Sequence, residues 1–140
     1  LGLFMSYDIT EASIAYGGPL APGEASTDKT TTLVATGNVG LDEEVSGTSM
    51  TSGGYSITAD YQHYDLDSGI AWASMNGDGD DGTLSGSAHE VETNCQKTTT
   101  TGSPASKAVY WKIQIPAGQQ SGSYTGTNTL AGVSGEAAGW

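Results

Sequence analysis

The chain has 140 residues, enough for one domain with a single hydrophobic core. Asp and Glu number 16 against 4 Lys and Arg, for a formal net charge of −12. Because nucleic acids and anionic membrane surfaces attract proteins through Lys and Arg, we expect neither as a partner. The sequence contains no apolar run of about 18 residues, so we also predict no membrane-spanning segment. A single cysteine, Cys95, excludes an intrachain disulfide.

Composition favours short strands over helices. Glycine contributes 21 residues, and dense Ser and Thr separate short apolar segments. No long stretch has apolar residues at helical spacing. We therefore predict an all-β fold with little or no helix: an antiparallel β-sandwich of jelly-roll or immunoglobulin-like type, with about eight short strands.

The N-terminal nine residues are strongly apolar and strand-like. Side chains at every second position would share one side of an extended segment, namely Leu1, Leu3, Met5, Tyr7 and Ile9. We predict an N-terminal extended strand over residues 1–15 and a single β-sandwich domain over 16–140. The apolar strand needs a partner, which is either the sheet of its own domain or the sheet of a neighbouring copy.

Further along, Val39, Leu41, Glu43 and Val45 alternate with polar residues, so Glu43 interrupts an apolar face and is expected near a strand end or a β-bulge. Another strand is predicted to begin at Ile70. The clearest alternation lies at 109–115, and the following loop and Thr-rich segment predict a hairpin over 109–131.

An acidic, glycine-rich loop follows the Ile70 segment. Its oxygen-bearing side chains suit a hard cation such as calcium, with candidate ligands Asn76, Asp78, Asp80 and Asp81. The loop resembles part of an EF-hand loop, but Ser87 stands where that motif has a bidentate acid. Glu90 or Glu92 would supply the acid only if the chain folds back. The alternative interpretation is a solvated turn, because Asp and Gly favour turns without any ion.

Catalysis finds little support in the motifs. The two histidines, His63 and His89, lie in no known nucleophile or metal motif, and Cys95 has no metal-site neighbours. We expect no enzyme, no catalytic residue and no required cofactor. Aromatic side chains suggest a different role, a flat surface that stacks on sugars, and the candidates are Tyr61, Tyr64, Trp72, Tyr110 and Trp140. Trp72 also fits a place in the core.

Two stretches carry a resemblance to a known group. Pro22-Gly23-Glu24, the run Ala35-Thr36-Gly37-Asn38-Val39-Gly40-Leu41 and Val45-Ser46-Gly47 form the first. The strand at 109–115 with Pro116, Gly118 and Gly122-Ser123-Tyr124-Thr125-Gly126 forms the second. Together they resemble the secreted prokaryotic β-sandwiches that include camelysin and TasA-like biofilm-fibre proteins.

This resemblance implies a structural subunit of an extracellular, cell-surface filament that polymerises with identical subunits. In such fibres the N-terminal strand of one subunit completes the sheet of the next, and the donor residues here would be Leu1, Leu3, Phe4, Met5, Tyr7 and Ile9. The alternative is a monomeric adhesive or carbohydrate-binding module that recognises surface glycans. The single-domain interpretation, in which residues 1–9 are simply the first strand, also remains open.

Overall fold

Nine short strands form most of the regular structure in the described part of the chain, and they follow the β-branched and alternating segments of the sequence. A computed structural model describes residues 2–79 and 81–136. The strands are β1 Tyr7–Ile9, β2 Lys29–Ala35, β3 Leu41–Gly47, β4 Met50–Ser52, β5 Tyr55–Ile57, β6 Gln62–Asp65, β7 His89–Cys95, β8 Ser106–Ile113 and β9 Asn128–Ser134. Two 3₁₀ turns, Ala59–Tyr61 and Trp72–Ser74, are the other regular elements in these ranges.

The strands form three antiparallel sheets. The first has the order β1-β2-β8-β6, the second has the order β7-β3-β9, and β4 pairs with β5. The expected all-β class is therefore confirmed, with nine strands in place of about eight. In the part of the chain that the structure describes, no helix is long and apolar enough to cross a bilayer.

The core lies between the first two sheets. One cluster joins Val109 and Trp111 of β8 to Val45 of β3 and Val91 of β7, and a second joins Leu33 and Ala35 of β2 to Leu41 and Cys95. Each sheet thus contributes alternate residues to one shared interior, which is the arrangement of a β-sandwich.

Trp111 is the largest buried side chain of this core. It has no exposed surface, and its ring lies 5.4 Å from that of Tyr64, centroid to centroid. Its indole Nε1 donates a hydrogen bond of 2.9 Å to Thr31 Oγ1, so the polar atom of a buried ring has a partner. The predicted inward face of the 109–115 segment is correct.

The predicted hairpin over 109–131 is wrong. Strand β8 pairs with β2 on one side and β6 on the other, while β9 pairs with β3 in the opposite sheet. Both edges of β8 are occupied, so the chain after Ile113 crosses to the second sheet before it forms β9. A loop between two apolar segments indicates a reversal, but does not specify which sheet receives the returning strand.

Two other local predictions have different outcomes. The strand expected from Ile70 is instead a 3₁₀ turn, because Trp72 Nε1 donates to Tyr61 O and its ring stacks on His63 with centroids 4.0 Å apart.

Glu43 lies within β3 beside a register shift that separates it from Leu41 along β7, as the bulge alternative predicted. Its side chain is completely buried.

Candidate assembly site

The N-terminal segment lies along the outer edge of β2 in its own chain. Tyr7, Asp8 and Ile9 pair with Ala35, Val34 and Leu33. Upstream, Ser6 O accepts hydrogen bonds from the backbone N–H groups of Thr36 and Gly37, and Phe4 O accepts one from Asn38. The predicted strand over residues 1–15 is thus a three-residue strand with an extended approach, and Leu1 lies outside the described residues.

Alternate side chains of this segment reach across to the second sheet. The hydroxyl of Ser134 donates a hydrogen bond to Met5 Sδ, with 3.7 Å between Oγ and Sδ. Ile9 packs on the cluster that contains Leu33 and Leu41. Tyr7 covers Gly132 of β9 so closely that a Cβ on that glycine would lie 2.6 Å from the ring. The segment therefore closes the open side of the sandwich between β2 and β9. We call this groove, formed by residues 33–38 and 132–134, the seat.

Four apolar side chains of the segment keep exposed surface, including Met5 and Tyr7, which also contact β9. The exposed fractions are 71% for Leu3, 52% for Phe4, 44% for Met5 and 38% for Tyr7. Among the described residues, Tyr55 is the other large hydrophobic side chain that is exposed. Grouped exposed apolar side chains mark interaction surfaces in soluble proteins, whereas scattered ones do not. This concentration within five residues singles out the segment as a contact surface.

The chain beyond Ile9 is held to its own domain. The carboxylate of Glu11 accepts hydrogen bonds from Thr32 N and Thr32 Oγ1, at 2.6 and 3.0 Å. Tyr16 packs against the core and donates from its hydroxyl to Gln62 Oε1 at 2.8 Å. Between these anchors and β9 lies a cavity of about 430 Å³, lined in part by Ile14 and Leu130. The cavity adjoins Ile9 and Glu11, and no seat residue lines it.

Gly37 and Asn38 are seat residues whose contacts with the N-terminal segment were not predicted from the sequence. Asn38 Oδ1 accepts a hydrogen bond from Phe4 N at 2.7 Å, and Asn38 Nδ2 donates one to Gly2 O at 3.0 Å. A Cβ on Gly37 would lie 2.5 Å from Phe4 O. The Gly-Asn dipeptide signals a turn, but its contacts with a segment about thirty residues away depend on the fold.

The acidic loop is stabilised by hydrogen bonds within the protein. Asn76 Oδ1 accepts a bond of 3.2 Å from Gly79 N, and Asn76 N donates to the buried Asp65. Asp78 and Asp81 are exposed and have φ angles of 60° and 75°, a conformation that Asp tolerates in turns. Asp80 lies outside the described residues. These features agree with the solvated-turn alternative, and calcium binding by the loop stays a prediction.

Among the proposed sugar-stacking aromatics, a ring contact joins Tyr61 and Trp72. Tyr64 is completely buried and is removed from the set. Tyr61 and Trp72 are partly exposed and stack at 6.3 Å with an interplanar angle of 14°. Tyr110 lies across the first sheet on β8, and Trp140 lies outside the described residues. At most the Tyr61–Trp72 pair offers a small aromatic platform.

Comparison with protein-family models finds no matching family, and comparison with curated proteins finds no similar sequence. The resemblance to camelysin and TasA-like proteins therefore stays a prediction, and functional inference depends on the geometry described above.

Proposed function

We propose that this protein is a non-catalytic structural subunit of an extracellular filament or surface layer, and that its N-terminal segment binds the seat of a neighbouring subunit. The observation that carries the proposal is the exposure of Leu3, Phe4, Met5 and Tyr7, which persists although the segment lies in the seat of its own chain. Head-to-tail repetition of such a contact yields an open filament.

The same seat can accept the segment from its own chain or from a neighbour, because the pairing partners are identical in both cases. The backbone hydrogen bonds to residues 33–38 would be retained on exchange, as in domain swapping. The gain comes from apolar side chains that a neighbour covers, about 1.5–3 kcal/mol for each large side chain that is fully buried. Exchange therefore becomes favourable as concentration rises.

The hydrogen bonds of Glu11 and Tyr16 within their own domain support an exchanged segment that ends at Ile9. Residues from Thr10 onward hydrogen-bond and pack within their own domain, whereas residues 2–9 contact only one edge of the sandwich. The donated part would then be shorter than the predicted range 1–15. Of the candidate donor residues, Ile9 would enter the core and Leu3 and Phe4 would contact the neighbour.

A monomeric glycan-binding module is the rival function, and the stacked pair Tyr61 and Trp72 is the observation that favours it. Aromatic faces bind the apolar faces of sugars. The two functions predict different oligomeric states as the protein concentration rises. A filament subunit would polymerise, whereas a binding module would stay monomeric.

Sedimentation velocity over a concentration series tests the proposal. We expect a monomer at low micromolar concentration and a growing series of larger species as concentration rises, because strand exchange is bimolecular. The control is the doubly substituted chain Leu3→Ser, Phe4→Ser, which keeps the backbone contacts of the segment and should stay monomeric to higher concentration. A wild-type monomer at all concentrations, with Trp72→Ala abolishing binding to immobilised polysaccharide, would favour the rival.

A further inference from the structure

Four carboxylates meet on the outer face of the second sheet, away from the core and from the acidic loop. Asp42 lies on the central strand β3, Glu90 and Glu92 lie on β7, and Glu136 follows β9. One carboxylate oxygen from each residue lies within 4.8 Å of the others. Alternation explains the grouping, because Val91 and Cys95 of β7 enter the core and their neighbours face outward.

Asp42 has an unusual environment for a charged side chain. It has no exposed surface, and one carboxylate oxygen, Oδ1, accepts a hydrogen bond of 2.9 Å from Asn94 N. The other oxygen, Oδ2, is buried and has no hydrogen-bond partner. A buried carboxylate oxygen without a partner is costly, so native proteins pair such atoms or bind cations with them.

The strand beside Asp42 adds further negative charge to the surroundings. Glu44 lies on the same face of β3 directly opposite Glu90, and facing like charges destabilise a sheet. In residues 2–79 and 81–136, no lysine forms a salt bridge with any of the four acids; the ion pair found there joins Lys112 to Asp28. Within the described residues, no lysine therefore neutralises the cluster.

The acid–base properties agree with this crowding. Burial, the neighbouring carboxyl of Glu136 and the negative charge of Glu90 together raise the pKa of Asp42 to about 6, against the Asn94 N–H bond that lowers it. Burial and the charges of Asp42, Glu136 and Glu90 raise the pKa of Glu92 to about 7. A bound cation would relieve this repulsion.

We propose that Asp42, Glu90, Glu92 and Glu136 bind one divalent cation of the calcium type. Carboxylate oxygens on a sheet face suit calcium, which accepts variable geometry and six to eight oxygen ligands, including water. Magnesium is less suited, because it requires a near-ideal octahedron and retains its own water. The ion would join the chain just beyond β9, through Glu136, to β3 and β7. This proposal is independent of the filament.

Calcium titration by calorimetry and thermal unfolding, on the full chain, tests the site. We expect one calcium per chain and a higher Tm in calcium than in EDTA, with a much smaller shift in magnesium. Glu136→Gln removes an exposed ligand without touching the core and should weaken calcium binding at least tenfold. Asp78→Asn in the acidic loop is the matched control and should leave both the stoichiometry and the Tm shift unchanged.

Asp42→Asn separates a cation site from simple repulsion. In EDTA this variant should melt at or above the wild-type temperature, because it removes a buried charge, and in calcium it should lose the wild-type Tm gain. The proposal is overturned if about 10 mM calcium neither binds nor raises the wild-type Tm. It is equally overturned if Glu136→Gln and Asp42→Asn retain the effect, or if Asp78→Asn alone abolishes it.

Discussion

Glu43→Met is expected to raise the free energy of unfolding by about 1–4 kcal/mol at pH 8. Glu43 lies in β3, opposite Val91 and Gly132, and has no exposed surface. Neither of its carboxylate oxygens has a hydrogen-bond partner. Burial, followed by the negative charge of Glu11, raises the pKa of Glu43 to about 8. An unbranched apolar side chain of similar length removes this cost.

The gain in stability from Glu43→Met should increase as pH rises toward 8. In the unfolded chain Glu43 ionises near its ordinary pKa of about 4.3, so below that pH both states are protonated and the charge costs nothing. Between there and pH 8 the unfolded state releases the proton first, so this group destabilises the fold increasingly as pH rises. Above pH 8 the penalty is constant.

Urea unfolding in EDTA at pH 5 and pH 8 measures this difference. Glu43→Met should gain more at pH 8 than at pH 5, and Glu43→Gln should show the same pH trend with a smaller gain, because its amide stays buried. Glu44→Gln is the control on the outward face and should change stability by only about 0.5 kcal/mol. A Glu43→Met variant that is less stable than wild type at pH 8 would contradict this account of the core.

Gly37→Ala is expected to expel the N-terminal segment from the seat and prevent polymers. An added Cβ would lie 2.5 Å from Phe4 O and 2.7 Å from Ser6 N, which are backbone atoms of the segment. The φ angle of Gly37 is not in the left-handed region, so alanine strains the chain only through this contact. We expect a loss of about 1–3 kcal/mol in the full chain.

A double-mutant cycle identifies the source of that loss. In a chain that lacks residues 1–9, Gly37→Ala should be nearly neutral, because the atoms it meets are gone. Gly54→Ala serves as the control, since a Cβ there meets nothing within 4 Å. Equal destabilisation in the full and shortened chains, or normal polymers from Gly37→Ala, would show that the segment does not use the seat.

The sequence predicted those features that depend on local alternation. The all-β class and the inward face of Val109, Trp111 and Ile113 follow from side chains that point to opposite sides of a strand. The pairing of strands did not follow, because β8 and β9 are adjacent in sequence yet lie in opposite sheets. Local patterns carry no information on which edge a strand will find.

The candidate sites divide in the same way. The apolar N-terminal segment is visible from composition, whereas its seat combines Gly37 and Asn38 with Gly132, which are distant in sequence. The four-acid cluster brings together residues of β3 and β7 and Glu136 beyond β9, and it depends on strand pairing that the sequence did not predict. The acidic loop, in contrast, shows its pattern within one short stretch of sequence, and turn formation explains that loop without an ion.

If the filament proposal is correct, the folded-back segment is the storage form of the subunit. The high negative charge would keep such monomers soluble and apart, and divalent cations would screen the repulsion during assembly. Salt would then act on the encounter between subunits, by screening their repulsion. Calcium would act on the sheet face that carries Asp42, by binding there.

Electron microscopy of the full chain and of a chain that lacks residues 1–9, at the same high concentration, tests whether the N-terminal segment links neighbouring subunits. Circular dichroism confirms that each sample is folded before imaging, and a synthetic peptide of residues 1–9 is added if the shortened chain needs its seat filled. We expect filaments from the full chain and folded monomers from the shortened chain. Folded monomers from both chains, or filaments from both, would contradict this expectation.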